Sequence, residues 1–566
     1  MNPSLFRRYT APALLLTVLW LLAVHNNAYW RLLFDLSSAQ GAWFTVSLVV
    51  FTAGLVTLLL SVLTFGRLTR YVLVTLICVS AAAAYFMDNM GVMIDRAMIE
   101  NLFQTDRVEA FELLNTRLLL EFLLLGVLPA AVIWFLLPRR QPLGAMLREK
   151  AVVVGLSLVV IVVAVAPFYK DYASLVRNHR EIHYLLTPLN TINGVYGYVT
   201  DLLETPGETV RIATDARKGP AWRGVSRPVV SVVVIGETAR ADSFSLYGYE
   251  RETNPALAGI DLIRFDNVAA CGTSTAVSLP CMFSDLGRDD FDRSTVRGRE
   301  GLLDALKHAG LRTVWLDNNS GCKGACRSAQ VWSPAGLDID GVCENGECLD
   351  AVLLGRLEKE LATAQDSTVI VVHMNGSHGP SYYRRYPDEF RVFTPDCRSD
   401  ELSECTQDEI RNSYDNSIRY TDWFLAEVID RLEGASTLDT ALLYVSDHGE
   451  SLGEFGLYLH GTPYFVAPEQ QIQVPMFLWL SSAFEQAFGI DRRCLQQRVA
   501  EPLSHDNLFH SVLGMLDIET RTRREDLDLF DGCTEATSNT RHAADSTPAE
   551  PTSEYRAARP GRPYGP

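Results

Sequence analysis

Four hydroxyl side chains crowd the stretch between Cys271 and Cys281, which reads C-G-T-S-T-A-V-S-L-P-C. A disulfide between the two cysteines would turn it into a rigid mount for a nucleophile. Serine and threonine are weak nucleophiles at neutral pH and need a base or a metal to take up the proton. Ligands for such a metal stand at the ends of two apolar runs: Glu237 upstream, and the adjacent pair Asp447 and His448 downstream. Glu, Asp and His are zinc donors, and catalytic zinc sites keep one position open for a nucleophile or substrate. There the metal would lower the proton affinity of the hydroxyl and offset charge on a phosphoryl oxygen. Spacing alone leaves Thr273, Ser274, Thr275 and Ser278 all open as the nucleophile. Lys323, in D-N-N-S-G-C-K-G, sits in a small loop able to hold an ammonium beside a phosphate. His378 and His460 occupy Gly-flanked turns and are candidates for phosphate or second-metal contacts, whereas His373 reads as a packed strand residue, and His505 and His510 as supports of a helix.

The elements that must bring these groups together alternate. Short β-branched runs at Val229–Ile235, Arg312–Leu316, Thr368–Met374, Thr440–Ser446 and Gln473–Leu480 predict strands. Helices are predicted over Arg299–Ala309, Ala351–Ala364 and Glu409–Leu432. That alternation implies a layered α/β domain on a largely parallel sheet, whose sites form at the carboxyl ends of strands. Glu237 and the Asp447–His448 pair fall just past two such ends.

The amino-terminal part has a different composition. Apolar segments at about 10–26, 41–65, 70–87, 118–137 and 151–168 mostly reach the roughly 20 residues that cross a bilayer as a helix. Arg7, Arg8, Arg67, Arg70, Arg139, Arg140, Arg148 and Lys150 fall on one side of this arrangement. By the positive-inside rule that side is cytoplasmic, and five crossings leave everything after Lys170 outside. Ten of the eleven cysteines lie beyond residue 270, as the close pairs Cys271/Cys281, Cys322/Cys326, Cys343/Cys348 and Cys397/Cys405 plus Cys494 and Cys533. An even, clustered set is a disulfide set of an oxidising compartment. Zinc is the competing use of Cys322 and Cys326; Cys78, within an apolar segment, stays unpaired. A net charge of -18 argues against nucleic acid as a partner. The expected organisation is a five-helix transmembrane domain over 1–169, a bridging linker over 170–227 with a helix at Asn190–Leu203, a catalytic domain over 228–533 and a disordered tail over 534–566. In the external loop before the fourth segment, Asn101, Thr105 and Glu109 recur every fourth residue, one face of a helix, which by spacing alone is a solvated face.

Taken jointly, the motifs V-V-I-G-E-T-A-R-A-D, C-G-T-S-T-A-V-S-L-P-C-M-F-S, D-N-N-S-G-C-K-G, G-S-H-G-P, V-S-D-H-G-E-S-L-G-E and Y-L-H-G resemble the membrane-bound phosphoethanolamine transferases of Gram-negative bacteria. These are a branch of the alkaline phosphatase and sulfatase superfamily that includes the lipid A enzymes and the mobile colistin-resistance proteins. The resemblance runs from the membrane segments to about Asp531. It implies a bacterial inner-membrane protein, acting as a monomer, whose periplasmic domain has the sulfatase-like fold. It implies that Thr275 is the nucleophile and that Glu237, Thr275, Asp447 and His448 ligate Zn2+. It places Asn101, Thr105, Glu109, Ser320, Lys323, His378 and His460 around the phosphoethanolamine group, against the solvated reading of the loop helix. The implied reaction moves phosphoethanolamine from phosphatidylethanolamine to lipid A in two steps through Thr275, releases diacylglycerol and confers resistance to polymyxins. Transfer to lipopolysaccharide core or another envelope glycan, or phosphodiester hydrolysis with water as acceptor, are the alternatives.

Overall fold

In this computed structural model the described residues are 9–104, 113–138, 141–179, 181–203, 209–344 and 347–534. Thr105, Glu109 and the tail from residue 535 lie outside them.

The core is a seven-stranded sheet. Its strands, in chain order, are β1 (Val229–Gly236), β2 (Ile263–Phe265), β3 (Arg312–Asp317), β4 (Gln330–Trp332), β5 (Thr368–His373), β6 (Asp439–Ser446) and β7 (Met476–Leu480). Their spatial order is β2-β7-β6-β1-β5-β3-β4. From β6 to β4 all neighbours are parallel, while β7 runs antiparallel to both β6 and β2. β1, β5 and β6 are continuous apolar runs because helices cover both faces, and each of their residues is buried. One face packs on Leu302–His308 and Asp506–Met515 and the other on Ala351–Ala362 and the long helix Gln407–Gly434. The long helix starts on a capping box between Thr406 and Glu409. β2 and β4 were not expected from sequence; three-residue edge strands carry too short a pattern to read.

One element departs from expectation in a way that matters. The Cys271–Cys281 stretch is not a loop throughout: Thr275–Met282 is helical and Thr275 opens its first turn. Pro280 inside it and the run of hydroxyl residues before it hide the helix. The Cys271–Cys281 disulfide ties the loop to the helix.

Five disulfides pair the ten outer cysteines, Cys322 with Cys326 among them, and Cys78 is free.

Among the described residues four helices are long and apolar enough to cross a membrane: Ala42–Leu63, Leu68–Met90, Thr116–Leu136 and Leu143–Asn178. A fifth span forms if Ala11–Val24 and Asn27–Ser37, bent by 70°, count as one. Within Thr116–Leu136, residues Phe122–Val127 take the wider π geometry. Pro129 has no N–H to return to the carbonyl of Leu125. That oxygen instead accepts from the Trp20 indole at 3.0 Å and lies 3.1 Å from Nε2 of His25. A sequence defect thus becomes a lock between helices.

The membrane part does not hang free below the sheet. Helices Tyr169–Asn178, Ile182–Leu185 and Leu189–Leu203 lead outward. Beyond them Arg217–Lys218 pairs with Ile518–Glu519 and Trp222 donates to the Leu516 carbonyl. A nine-residue helix, Arg96–Gln104, packs between Leu189–Leu203 and the catalytic domain. Arg96 pairs with Asp201, and Glu100 with Arg293 across the boundary. Gly91, at φ +70°, ends the span Leu68–Met90. A Cβ there would meet Leu457 Cδ2 at 2.7 Å and the Gly456 carbonyl at 2.9 Å.

Candidate active site

β1 and β6 are adjacent and parallel, in register from Val229 against Asp439 to Gly236 against Ser446. Glu237 and Asp447 therefore leave the sheet side by side. The turn after β1 is forced: Thr238 sits at φ +57°, a costly conformation for a β-branched residue. It is held by three bonds. Its N–H donates to Asp447 Oδ1 at 3.2 Å, its hydroxyl to Glu237 Oε1 at 2.5 Å, and its carbonyl accepts from the Tyr414 hydroxyl at 2.8 Å.

The resulting cluster is compact. One donor atom from each of Glu237, Asp447 and His448 lies within 4.8 Å of the others. All three side chains are fully buried. His448 Nε2 is 3.4 Å from Glu237 Oε1 and 3.3 Å from Asp447 Oδ2. Its Nδ1 faces the Gly449 carbonyl at 2.9 Å, so Nδ1 carries the proton and Nε2 is turned toward the two carboxylates, where it could ligate a metal. Thr275 completes the group, donating to Glu237 Oε2 at 3.0 Å with its oxygen 3.4 Å from His448 Nε2. Asn319 donates to the same Glu237 oxygen at 2.8 Å.

The electrostatics are those of a site built for a cation. Burial disfavours charge on His448, but Asp447 and Glu237 outweigh it and raise the imidazole to about 10. Burial, then repulsion from Glu237, raises Asp447 to about 6. Asp447 Oδ2 is buried without a hydrogen-bond partner among the described residues. Its charged neighbour is His448 Nε2, at 3.3 Å. A buried carboxylate oxygen that lacks a hydrogen bond is costly, and a divalent metal among these donors would remove the cost, so the donor set fits one. A second grouping, Cys271, Cys281 and Asp506, is no metal site because the two sulfurs are bonded to each other.

A small cavity of about 40 Å³ opens above Thr275, lined by Asn101, Gln104, Ser320, Lys323, His378 and His460 among others. The His378 and His460 rings lie 5.2 Å apart, and His460 lies 4.5 Å from His448. Burial lowers His378 to about 3, with a further push from His460 and Arg385. Lys323, at φ +48° in the disulfide-closed loop, donates from Nζ to the carbonyl and hydroxyl of Ser320 at 3.0 and 2.9 Å.

Two family profiles match the chain: Sulfatase over residues 230–518 and Phosphoethanolamine transferase EptA/EptB over residues 52–203. Over 528 residues the chain is 39% identical to phosphoethanolamine transferase EptA of Escherichia coli (strain K12), spanning 92% of this chain and 96% of that one. The chain belongs to the phosphoethanolamine transferase family. The transferase is 35% identical to phosphatidylethanolamine transferase Mcr-1 of Escherichia coli, over 91% of this chain and 96% of that one. Its structure matches the integral membrane protein lipooligosaccharide phosphoethanolamine transferase A of Neisseria meningitidis with a TM-score of 0.89 at 34% identity, covering 93% and 99% of the two chains. It is accordingly a multi-pass inner-membrane enzyme with a periplasmic catalytic domain.

Of the residues singled out by sequence, Glu237, Thr275, Asp447 and His448 converge, and Asn101, Ser320, Lys323, His378 and His460 line the cavity above them. His373 is a buried strand residue bonded to Asp317 at 2.7 Å. His505 accepts from Cys271 N–H at 3.0 Å while its Nε2 lies 2.9 Å from the Ser446 carbonyl, bracing the Cys271–Cys281 loop against β6. Ser274, one of the four hydroxyls left open by spacing, lines the cavity beside Thr275, whereas sequence reasoning missed Gln104 in the cavity wall and Asn319 behind Glu237. Only Asn319 had a signal, the second asparagine of D-N-N-S-G-C-K-G.

Proposed function

We propose that the transferase moves phosphoethanolamine from phosphatidylethanolamine to lipid A in two steps, through a covalent adduct on Thr275. The observation that carries this reading is the Thr275 hydroxyl, 3.0 Å from Glu237 and 3.4 Å from His448, beneath a cavity walled by Lys323, His378 and His460. The names of Mcr-1, a phosphatidylethanolamine transferase, and of the meningococcal lipooligosaccharide phosphoethanolamine transferase support this donor and a lipooligosaccharide-type acceptor.

Zinc held by Glu237, Thr275, Asp447 and His448 would supply a lowered proton affinity at the Thr275 hydroxyl and offset charge on a phosphoryl oxygen. The chain's own residues do the rest. Glu237 Oε2 receives the hydroxyl proton along the bond already present. Lys323 Nζ sits where it can balance a phosphoryl oxygen, the largest kind of contribution in such reactions. His378, kept neutral by burial, and His460 can hydrogen-bond the same group. Diacylglycerol leaves with a proton; the acceptor then displaces Thr275 from phosphorus, and two in-line steps retain configuration there. Each transfer adds an ammonium to an anionic surface and weakens its attraction for cationic peptides, the basis of polymyxin resistance.

Mass spectrometry of lipid A and core from cells with and without the gene tests the acceptor; phosphoethanolamine on lipid A is expected. Its appearance on core sugars alone would reassign the acceptor. Intact-protein mass after exposure to phosphatidylethanolamine tests the adduct, and turnover without any phosphoethanolamine on Thr275 would sink the two-step route.

A further inference from the structure

Beside the small cavity lies a larger one of about 330 Å³ that shares Ala276 and Lys323 with it. Its size falls within the usual span of small-molecule clefts, roughly 300 to 1,000 Å³. It lies where the nucleophile helix, the short helix Arg293–Arg297, the Cys322–Cys326 loop and Glu100 of the membrane part meet. Its wall is strongly cationic: Arg293, Arg297, Arg299, Arg327 and Lys323 face Glu100, Glu300 and Asp304.

Most of these charges are matched locally. Arg293 pairs with Glu100, and Arg299 grips Asp285 through two bonds of 2.6 and 2.7 Å. Glu300 faces His308 at 2.9 Å and Arg211 at 3.5 Å, while Asp304 accepts from the N–H of Gly301 at the start of its own helix. Arg297 and Arg327 are different. Arg297 donates to the Asp201 carbonyl at 3.2 Å, and Arg327 to those of Gly324 and Val296 at 3.2 Å each. Neither forms an ion pair with a carboxylate among the described residues. Backbone carbonyls orient these guanidiniums without cancelling their charge, leaving two oriented forks for a phosphate.

We infer that this groove binds the phosphorylated saccharide of the acceptor during the second transfer step. The inference rests on the two-step reaction proposed above and adds where its second substrate sits. Charge decides between the two reactants. The donor carries one negative charge, on the phosphoryl group that stays over Thr275; its ethanolamine is cationic and its diacylglycerol neutral. No part of the donor is left to satisfy two further cations, and its ammonium would be repelled by them. An acceptor bearing phosphate monoesters brings negative charge of its own. Seated against Arg297 and Arg327, it reaches the adduct past Ala276 and Lys323, the two residues common to both cavities. One oxygen of its phosphate forms a bond to the phosphoethanolamine phosphorus as the bond from phosphorus to Thr275 Oγ breaks. The electron pair stays on Oγ, and the proton of the attacking phosphate hydroxyl passes to it.

The test separates the half-reactions of the full-length enzyme in mixed micelles, with fluorescent phosphatidylethanolamine as donor and bisphosphorylated lipid A as acceptor. For R297Q/R327Q, adduct formation and the diacylglycerol burst should stay within twofold of the unsubstituted enzyme. The KM for lipid A should rise at least tenfold, as loss of charge-assisted bonds predicts, and the adduct should accumulate. R297K/R327K should recover most of the acceptor affinity. An unchanged acceptor KM in R297Q/R327Q overturns the assignment. So does an equal fall of both half-reactions in the Gln and Lys pairs, which would place the arginines on the donor path or in the fold. Absence of an adduct in the unsubstituted enzyme removes the two-step reading itself, and this inference with it.

Discussion

The two walls of the reaction centre are built differently. The sheet wall, carrying Glu237, Asp447 and His448, is fully buried and hangs from adjacent parallel strands. Its functional side chains are pinned by backbone or side-chain bonds, down to Asn319 behind Glu237. The facing wall, with Asn101 and Gln104, belongs to a nine-residue helix of the membrane part. It is held across a domain boundary by the Glu100–Arg293 pair and by close approach at Gly91. The first wall is fixed by the fold of one domain and, on the proposed reaction, performs the chemistry. The second is fixed only when membrane part and catalytic domain dock, so on the proposed reaction it can bind a lipid head group without disturbing the Glu237–Asp447–His448 cluster.

The contrast breaks most visibly at Thr275. Thr275→Ala should lower transfer by about four orders of magnitude or more, as loss of a nucleophile does, with the purified protein still holding its metal; intact mass and metal analysis read both. Asn319→Ala removes a bond that orients a ligand rather than the ligand itself. It should weaken metal binding by about 10- to 100-fold, measured by chelator competition, and chelation to the metal-free form should abolish transfer. On the other wall, Gly91→Ala should displace the docked helix, since its Cβ would strike Leu457 and the Gly456 carbonyl. Transfer from phosphatidylethanolamine should fall about tenfold or more, given how sharply rate depends on alignment. Cleavage of a small soluble phosphodiester, which needs only the sheet wall, should change little. If both activities fell together, the division of labour would be wrong.

The smallest effect lies far from either wall. Burial raises Asp528 to about 7. A carboxyl raised in the folded state binds a proton that the unfolded chain releases near pH 4, so folding is favoured at low pH and this contribution is lost as pH climbs through 7. Asp528→Asn should flatten the fall in stability between pH 5 and 8, by at most about 4 kcal/mol at the upper end, read as a shallower pH dependence of the melting temperature. An unaltered slope would show that the carboxylate is already compensated, for instance by Arg523 at 3.6 Å.

How far the residue order reveals the molecule follows the same division. Glu237 and Asp447–His448 were legible because a β-branched run carries its own signal and parallel strands bring their ends together. The proposed nucleophile was narrowed to four hydroxyls and no further from the residues themselves, since choosing Thr275 depends on the first turn of a helix that Pro280 and the hydroxyl run conceal. Asn101 could be placed only through family resemblance. Its partners are more than 170 residues away, and on a free helix its spacing describes a wet surface. Arg297 and Arg327 gave no signal, because an arginine facing a groove and one facing solvent look alike in a string of letters.

One bracket described above sets when such an enzyme can begin to work. Thr275 lies between Cys271 and Cys281, and Lys323 between Cys322 and Cys326, so both reactive loops take their final shape only when thiols have been oxidised. A chain still inside the reducing cytoplasm holds the proposed nucleophile and the Lys323 ammonium on slack tethers. On the proposed reaction, competence to consume a bulk phospholipid therefore arrives after export, on the acceptor's side, and newly made protein passes the inner leaflet without attacking it.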